Sequence, residues 1–213
     1  MFKVEGGEVK LFELIKKQLD SFFCLEAYEK VIIESLLAGV LNRTFVCFSH
    51  SKNKYYCKDS HVYFNPYHSG QYSIFLYYLS NTISREKDVK YKLLADKVYY
   101  LNKMMNSCDL FHEVVLPEYF FLDHPVGAVI GRAEYGKGFE FGQNVTVGNN
   151  KGLYPKFGEN VRLCANSMVL GNCKIGSNVI IGPGVCVKDT DIPDNVLVFG
   201  TSPNLIIKKR KNA

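Results

Sequence analysis

Two adjacent residues in the middle of the chain, Asp123 and His124, are where a chemical reading begins. Histidine has an ordinary pKa near neutral, so it can take a proton from a hydroxyl and return it within one turnover. It does so best when a carboxylate fixes its tautomer and stabilises the imidazolium that forms. Asp109 lies fifteen residues upstream and Glu113 eleven. Taken alone, such a histidine is equally a hydrogen-bonded structural residue, and Asp109 equally a helix cap or the start of a turn. A second polar group, Tyr63, Tyr67, His68, Ser69, Gly70, Gln71 and Tyr72, has the planar rings and hydroxyls that suit a sugar, or a packed loop of tyrosines. Seven cysteines are an odd number with no CxxC pair, and no metal-ligand cluster is visible, so no metal is expected.

The elements that must position these residues follow from periodicity. Phe157, Leu163, Val169, Ile175, Ile181 and Val187 recur every six residues without a miss. Six matches neither the 3.6 of a helix nor the alternation of a half-buried strand. It suits a coil of short flat sides, with one inward side chain per side and a small residue at each corner. Cys164, Cys173 and Cys186 fall inside this pattern and read as small buried hydrophobes. Val129, Tyr135, Phe141 and Val147 extend the register upstream. Between Val147 and Phe157 the spacing is ten, so four residues within GNNKGLYPK must bulge from the coil. Residues 113–122, EVVLPEYFFL, read as strand-like with a proline that discourages helix. Upstream, helical stripes run over residues 9–20, 25–42, 71–83 and 86–106. The segment 49–70 reads as a loop with one short aromatic strand, able to fold over a site.

The hexad pattern resembles the hexapeptide-repeat acyltransferases. LDHPVGAVIG at 122–131, NVTVG at 144–148, VRLCANSMVLGN at 161–172 and IGPGVCV at 181–187 resemble serine acetyltransferases and related O-acetyltransferases more closely. The resemblance covers about residues 109–207. It implies a left-handed parallel β-helix over 109–207; with the helical stripes upstream, the expectation is an α+β chain with an N-terminal α-helical domain over 1–108, that β-helix, and a basic tail at 208–213. The resemblance also implies acetyl-CoA as co-substrate and a homotrimer. His124 is the implied general base, Asp109 its partner with Glu113 as rival, and Asp123 a substrate contact or an ordinary solvated carboxylate. The implied cofactor contacts are Ala165, Gly171, Gly182, Pro183 and Lys188, with Lys208 or Lys209 near the phosphates.

The chain departs from the family pattern at two places. Tyr154 stands where serine acetyltransferases carry a second histidine before a proline, and the N-terminal half shows no match to their helical domain. A sugar or glycan-precursor hydroxyl is therefore the expected acceptor, in polysaccharide biosynthesis, with Tyr154, His68 and Gln71 beside it. Serine, as in cysteine biosynthesis, is the alternative, and a non-catalytic hexapeptide-repeat scaffold the third reading. The net charge of +5 is modest and partly concentrated in Lys208–Lys211, as a solvated tail or phosphate-screening cations, and no nucleic-acid partner is expected. The N-terminus has scattered charges and no continuous apolar core. The apolar stretches around Val31–Leu41 and Tyr72–Leu79 read as too short to span a bilayer, so the expectation is a cytoplasmic protein.

Overall fold

The computed structural model describes residues 2–86 and 88–210, in two compact units that divide between Asn106 and Ser107. The expected α+β order holds, with helices first and a parallel β-helix after them.

The first unit has four helices, α1 (Gly7–Phe23), α2 (Ala27–Ser49), α3 (Ser69–Ser84) and α4 (Val89–Asn106). The stripe Leu11, Ile15 and Leu19 of α1 is buried, as are Ile32, Leu37 and Val40 of α2 and Leu94, Val98 and Leu101 of α4. Val31, Leu93 and Met105, placed on the same stripes from sequence, face outward instead, Leu93 with 55% of its surface exposed. The central helix α3 is buried nearly all round, so no single stripe marks it. Helix α2 runs 23 residues, well past its expected end at 42, and is long and apolar enough by composition to cross a membrane. In this unit it packs on α3 as a core helix does. It also buries Glu29, whose carboxylate takes the Lys97 ammonium of α4 at 2.7 Å. The segment 49–70 is more ordered than a loop. Cys57–Lys58 and His61–Phe64 form a tight hairpin, and Phe2–Val4 pairs parallel with the second strand.

The second unit is a coil with three faces. The first face stacks Phe120–Leu122, Phe139–Phe141, Arg162–Leu163, Ile180–Ile181 and Val196–Thr201. The second stacks Asp109–Leu110, Val129–Ile130, Thr146–Gly148, Met168–Leu170 and Cys186–Lys188. The third stacks Lys156–Phe157 and Lys174–Ile175, extended by bridges from Glu134 and Ile192. Every pairing among these coils is parallel and in register, so like residues lie above like at the ~4.8 Å spacing of hydrogen-bonded strands. The interior column holds the hexad residues Leu163, Val169, Ile175, Ile181 and Val187, all buried. The wider first coils are filled by rings, with Tyr135 stacked on Phe157 at 5.4 Å and an interplanar angle of 7°.

Corners need a sharp reversal of the backbone. Asn160, Asn178 and Asn195 occupy one corner in three successive coils, each at a φ of 55–58°. Asparagine tolerates this left-handed conformation because its short amide bonds locally. Here the amides bond to each other, Asn160 donating to Asn178 at 3.3 Å and Asn178 to Asn195 at 3.0 Å. Gly138 heads that column at φ +74°, where an added Cβ would lie 2.5 Å from the Asn160 amide oxygen.

Three expectations are corrected. Ile130, not Val129, enters the interior column, paired with Val147, and Val129 points outward with 44% of its surface exposed. Residues 113–122 are mostly irregular and bent, with strand only at Phe120–Leu122, and Pro117 in their middle has no N–H to give a strand ladder. Lys208 and Lys209 belong to the terminal strand Asn204–Lys209, which folds back antiparallel on Val196–Thr201, and residues 211–213, with Lys211, lie outside the described residues.

The four-residue insertion is a two-residue hairpin. Asn150 and Leu153 exchange backbone hydrogen bonds at 3.1 and 3.0 Å around Lys151 (φ +52°) and Gly152 (φ +78°), the geometry that a tight reversal demands. The Asn150 amide donates to Asp189 at 2.6 Å, and Asp189 also accepts the Asn172 backbone N–H at 3.0 Å. These bonds, the Asn172 N–H above all and then the Asn150 amide, hold the Asp189 carboxyl below its usual range.

Leu163→Ala should lower unfolding stability in urea by about 2–5 kcal/mol, because a cavity opens in the column. Lys174→Ala, on the outer surface of the third face, should change it by no more than ~0.5 kcal/mol. Because the folded Asp189 carboxyl titrates below its ordinary value, the support it gives the hairpin is complete above that value. It is lost as pH falls through the folded pKa. Amide exchange at Asn172 should therefore quicken, relative to neighbouring amides, on acidification below that point. Asp189→Asn should remove this extra pH dependence.

Candidate functional site

The turn that carries His124 joins the first face to the second. His124 itself takes φ +50°, its carbonyl accepts the Val126 N–H at 2.8 Å, and Pro125 between them is buried. A non-glycine residue in this conformation costs of order 1 kcal/mol and recurs where a side chain must be aimed. The consequence here is an imidazole with 90% of its surface exposed, held out from the coil by a braced turn.

One carboxylate lies beside it, and a guanidinium and a second carboxylate continue the chain of contacts from there. The Asp123 Oδ1 lies 3.8 Å from His124 Nε2. The other oxygen, Asp123 Oδ2, accepts from Arg162 Nη2 at 3.3 Å, and Arg162 Nε faces Glu140 at 3.5 Å. Burial pushes the Glu140 carboxyl up against the pull of Arg162, and Asp123 adds to the rise. Cys164, in the same neighbourhood, is likewise pushed up by burial, so its thiol stays protonated and inert near neutral pH.

Asp109 begins the lowest strand of the second face, and its N–H bonds to the Ala128 carbonyl at 2.8 Å, within the turn segment that follows His124. Glu113, its rival, is engaged by Arg132 at 3.2 Å. The Asp109 backbone is thus tied to the segment that follows the turn. The contact at ion-pair distance from the ring is nevertheless with Asp123.

The remaining expected residues divide among separate places. Gly142, Cys164 and Gly182 stack above Asp123 on the same corner, as the bonds Asp123 N–H to Phe141, Gly142 N–H to Leu163 and Cys164 N–H to Ile181 require, and Ala165 follows Cys164 there, its backbone within 3.4 Å of where a Cβ on Gly142 would lie. Pro183 follows Gly182 directly. From the His124 turn to Pro183 is three coil steps, about 14 Å at the strand spacing. Phe199 packs at Gly182, where a Cβ would meet its ring at 3.0 Å, and the Lys208 ammonium lies 5.9 Å from that ring's centre. Lys208 therefore belongs with this corner, and Lys209 follows it on the strand. Gly171 and Lys188 lie at the opposite edge of the second face, Gly171 packed against Asp189 and Asn150. Tyr154 is there too, half-exposed after the inserted hairpin. Within one chain, Tyr154 and His124 therefore stand on different corners.

His68 and Gln71 are occupied inside the first unit. His68 caps α3, its Nδ1 accepting the Gln71 N–H at 3.3 Å. Gln71 is fully buried, accepting from Asn65 N–H and donating to the Tyr55 carbonyl, both at 2.7 Å. Gln71 fastens the hairpin segment to α3, which corrects the expectation that it meets an acceptor, and His68 commits its Nδ1 to the start of the same helix. Arg162 and Glu140 were not legible as site residues, since Arg162 and Asp123 are 39 positions apart in sequence. Only the coil length, once known, aligns Arg162 with Glu140 and Phe121.

Comparison with known proteins agrees with this architecture. Residues 154–189 match the family model described as bacterial transferase hexapeptide (six repeats). A serine acetyltransferase of Staphylococcus epidermidis is 32% identical over 133 residues, which are 57% of this chain and 62% of the relative. The chain thus spans 62% of that relative's length. Among solved structures, the Neisseria gonorrhoeae serine acetyltransferase superposes with a TM-score of 0.72 at 21% identity, over 92% of this chain and 78% of that one. A serine acetyltransferase solved in complex with CoA superposes with a TM-score of 0.63 at 16% identity, over 85% and 74%. The expected left-handed β-helix fold is the fold of these structures. Within the second unit, residues 154–189 match the bacterial transferase hexapeptide repeat, and the chain is similar in sequence and in fold to serine acetyltransferases.

Proposed function

We propose that this chain is an acetyl-CoA-dependent serine O-acetyltransferase that works as a homotrimer. The observation that carries the reading is the braced, outward His124 beside a carboxylate, at the head of a corner that runs past Ala165 and Gly182. The relatives are named for serine, which favours the alternative acceptor over the sugar expected from Tyr154 and over a role in polysaccharide biosynthesis.

The transfer proceeds by proton and acyl exchange at one carbonyl. His124 takes the proton of the serine hydroxyl as that oxygen attacks the thioester carbonyl carbon. The C–O bond forms, the C–S bond breaks, and the CoA sulfur leaves with the proton returned by the imidazolium. Asp109, or the nearer Asp123, stabilises the charged ring in between. CoA would lie along the His124 corner against Ala165, Gly182 and Pro183, with Lys208 and Lys209 toward its phosphates and Gly171 and Lys188 across the face. A trimer fits the same geometry. One chain sets Tyr154 and His124 on different corners, and a neighbouring copy brings the Tyr154 edge of one against the His124 corner of the next. It also covers the outward Val129 and Met168, a third or more exposed in the single chain.

His124→Ala should reduce CoA release with L-serine by roughly 10²–10⁴-fold while light scattering shows the same trimer mass. Full activity of this variant, or turnover of sugar nucleotides and oligosaccharides but not serine, would sink the reading. Tyr154→His should change the KM for the acceptor more than the KM for acetyl-CoA. An equal change in both would mean that the hairpin is only structural.

A further inference from the structure

Arg162 departs from what a coil residue normally does. Its strand lies two coils away from Asp123, yet its guanidinium reaches back along the outside of the first face to that carboxylate. Glu140, on the intervening coil, holds its Nε edge at 3.5 Å and so steers the Nη edge toward the His124 corner. A side chain that only tied neighbouring strands together would stop at Glu140. This one continues to the residue beside the exposed imidazole and remains 46% exposed itself.

Three unlike groups result, in a fixed order along the mouth of the site. They are an imidazole, a carboxylate and a guanidinium: His124 Nε2, then Asp123 with Oδ1 at 3.8 Å, then Arg162 Nη2 at 3.3 Å from Oδ2. A β-hydroxy amino acid carries a hydroxyl, an ammonium and a carboxylate on adjacent atoms. Resting on the serine reading above, the geometry points to Arg162 as the anchor of the substrate carboxylate, in a zwitterion dock whose ammonium site is Asp123. The hydroxyl then falls to His124. A planar guanidinium with several donors matches a carboxylate better than an ammonium would, and the bond to Glu140 limits the reorganisation that binding requires. A neutral sugar hydroxyl has no group for either charge, so the dock also selects against it.

The test compares L-serine with L-serinamide, which keeps the hydroxyl and ammonium but lacks the carboxylate, in a CoA-release assay on the full-length protein. Wild type should prefer serine in kcat/KM by about 10- to 100-fold, the range of a hydrogen bond between charged groups. Arg162→Met should raise the KM for serine by a similar factor, leave the KM for serinamide and for acetyl-CoA within about twofold, and so erase the preference. Arg162→Lys, which retains charge and much of the packing, should fall between them and serves if the methionine variant does not assemble. Equal losses for serine and serinamide in either variant would overturn the assignment alone and make Arg162 a support for Asp123. Failure of wild type to turn over serine would overturn the underlying reading and this assignment with it.

Discussion

The constraint on which the second unit depends is that each coil must return to the same column before the next begins. Parallel strands of two or three residues cannot hold themselves together. Their backbone groups are satisfied only by the coils above and below, so a coil of the wrong length would leave a row of buried donors unpaired. Register is therefore dictated along the stack, and the corners have to reverse in a conformation few residues accept. Asparagine columns meet that demand with side chains that bond to one another. The active corner meets it with His124 in the same left-handed conformation, so the turn that closes a coil also aims the imidazole. Fold and candidate chemistry share one strained residue.

The hexad column was legible because burial is uniform along it, as every sixth side chain meets the same environment one coil on. The signal faltered where the environment changed. The first coils hold rings in place of aliphatics, and the spacing from Ile130 to Tyr135 is five, so Val129 was taken for the inward residue. In the first unit, amphipathic stripes located the helices. Helix α3 faces apolar neighbours nearly all round, and α2 runs past the end its stripe suggested because its last turns, at Thr44, Cys47 and Phe48, are buried too. The hairpin at 57–64 was hidden because its partner strand, Phe2–Val4, lies more than fifty residues earlier in sequence.

The site was legible in part for the same reason. His124 and Asp123 are neighbours in sequence, so a motif records them. Glu140 and Arg162 reach the site through the stacking of coils, and the four-residue insertion between them spoils any fixed spacing that might have announced it. Gln71 shows the opposite error. Its residue type suits a ligand, but a buried amide with both ends bonded to backbone has nothing left to offer one. Chemistry inferred from residue type needs exposure as well as identity. His124 has it and Gln71 does not.

Electrostatics then bear on what the exposed corner can hold. Asp123 is shared between an imidazole at 3.8 Å and a guanidinium at 3.3 Å. A general base must be neutral when a hydroxyl arrives and charged only while the acyl carbon is being attacked. Glu140 holds the same guanidinium from the other side, at 3.5 Å. One coil-spanning side chain, Arg162, thus joins carboxylates on two coils beside the exposed imidazole, an arrangement that only the stacking of the coils can produce.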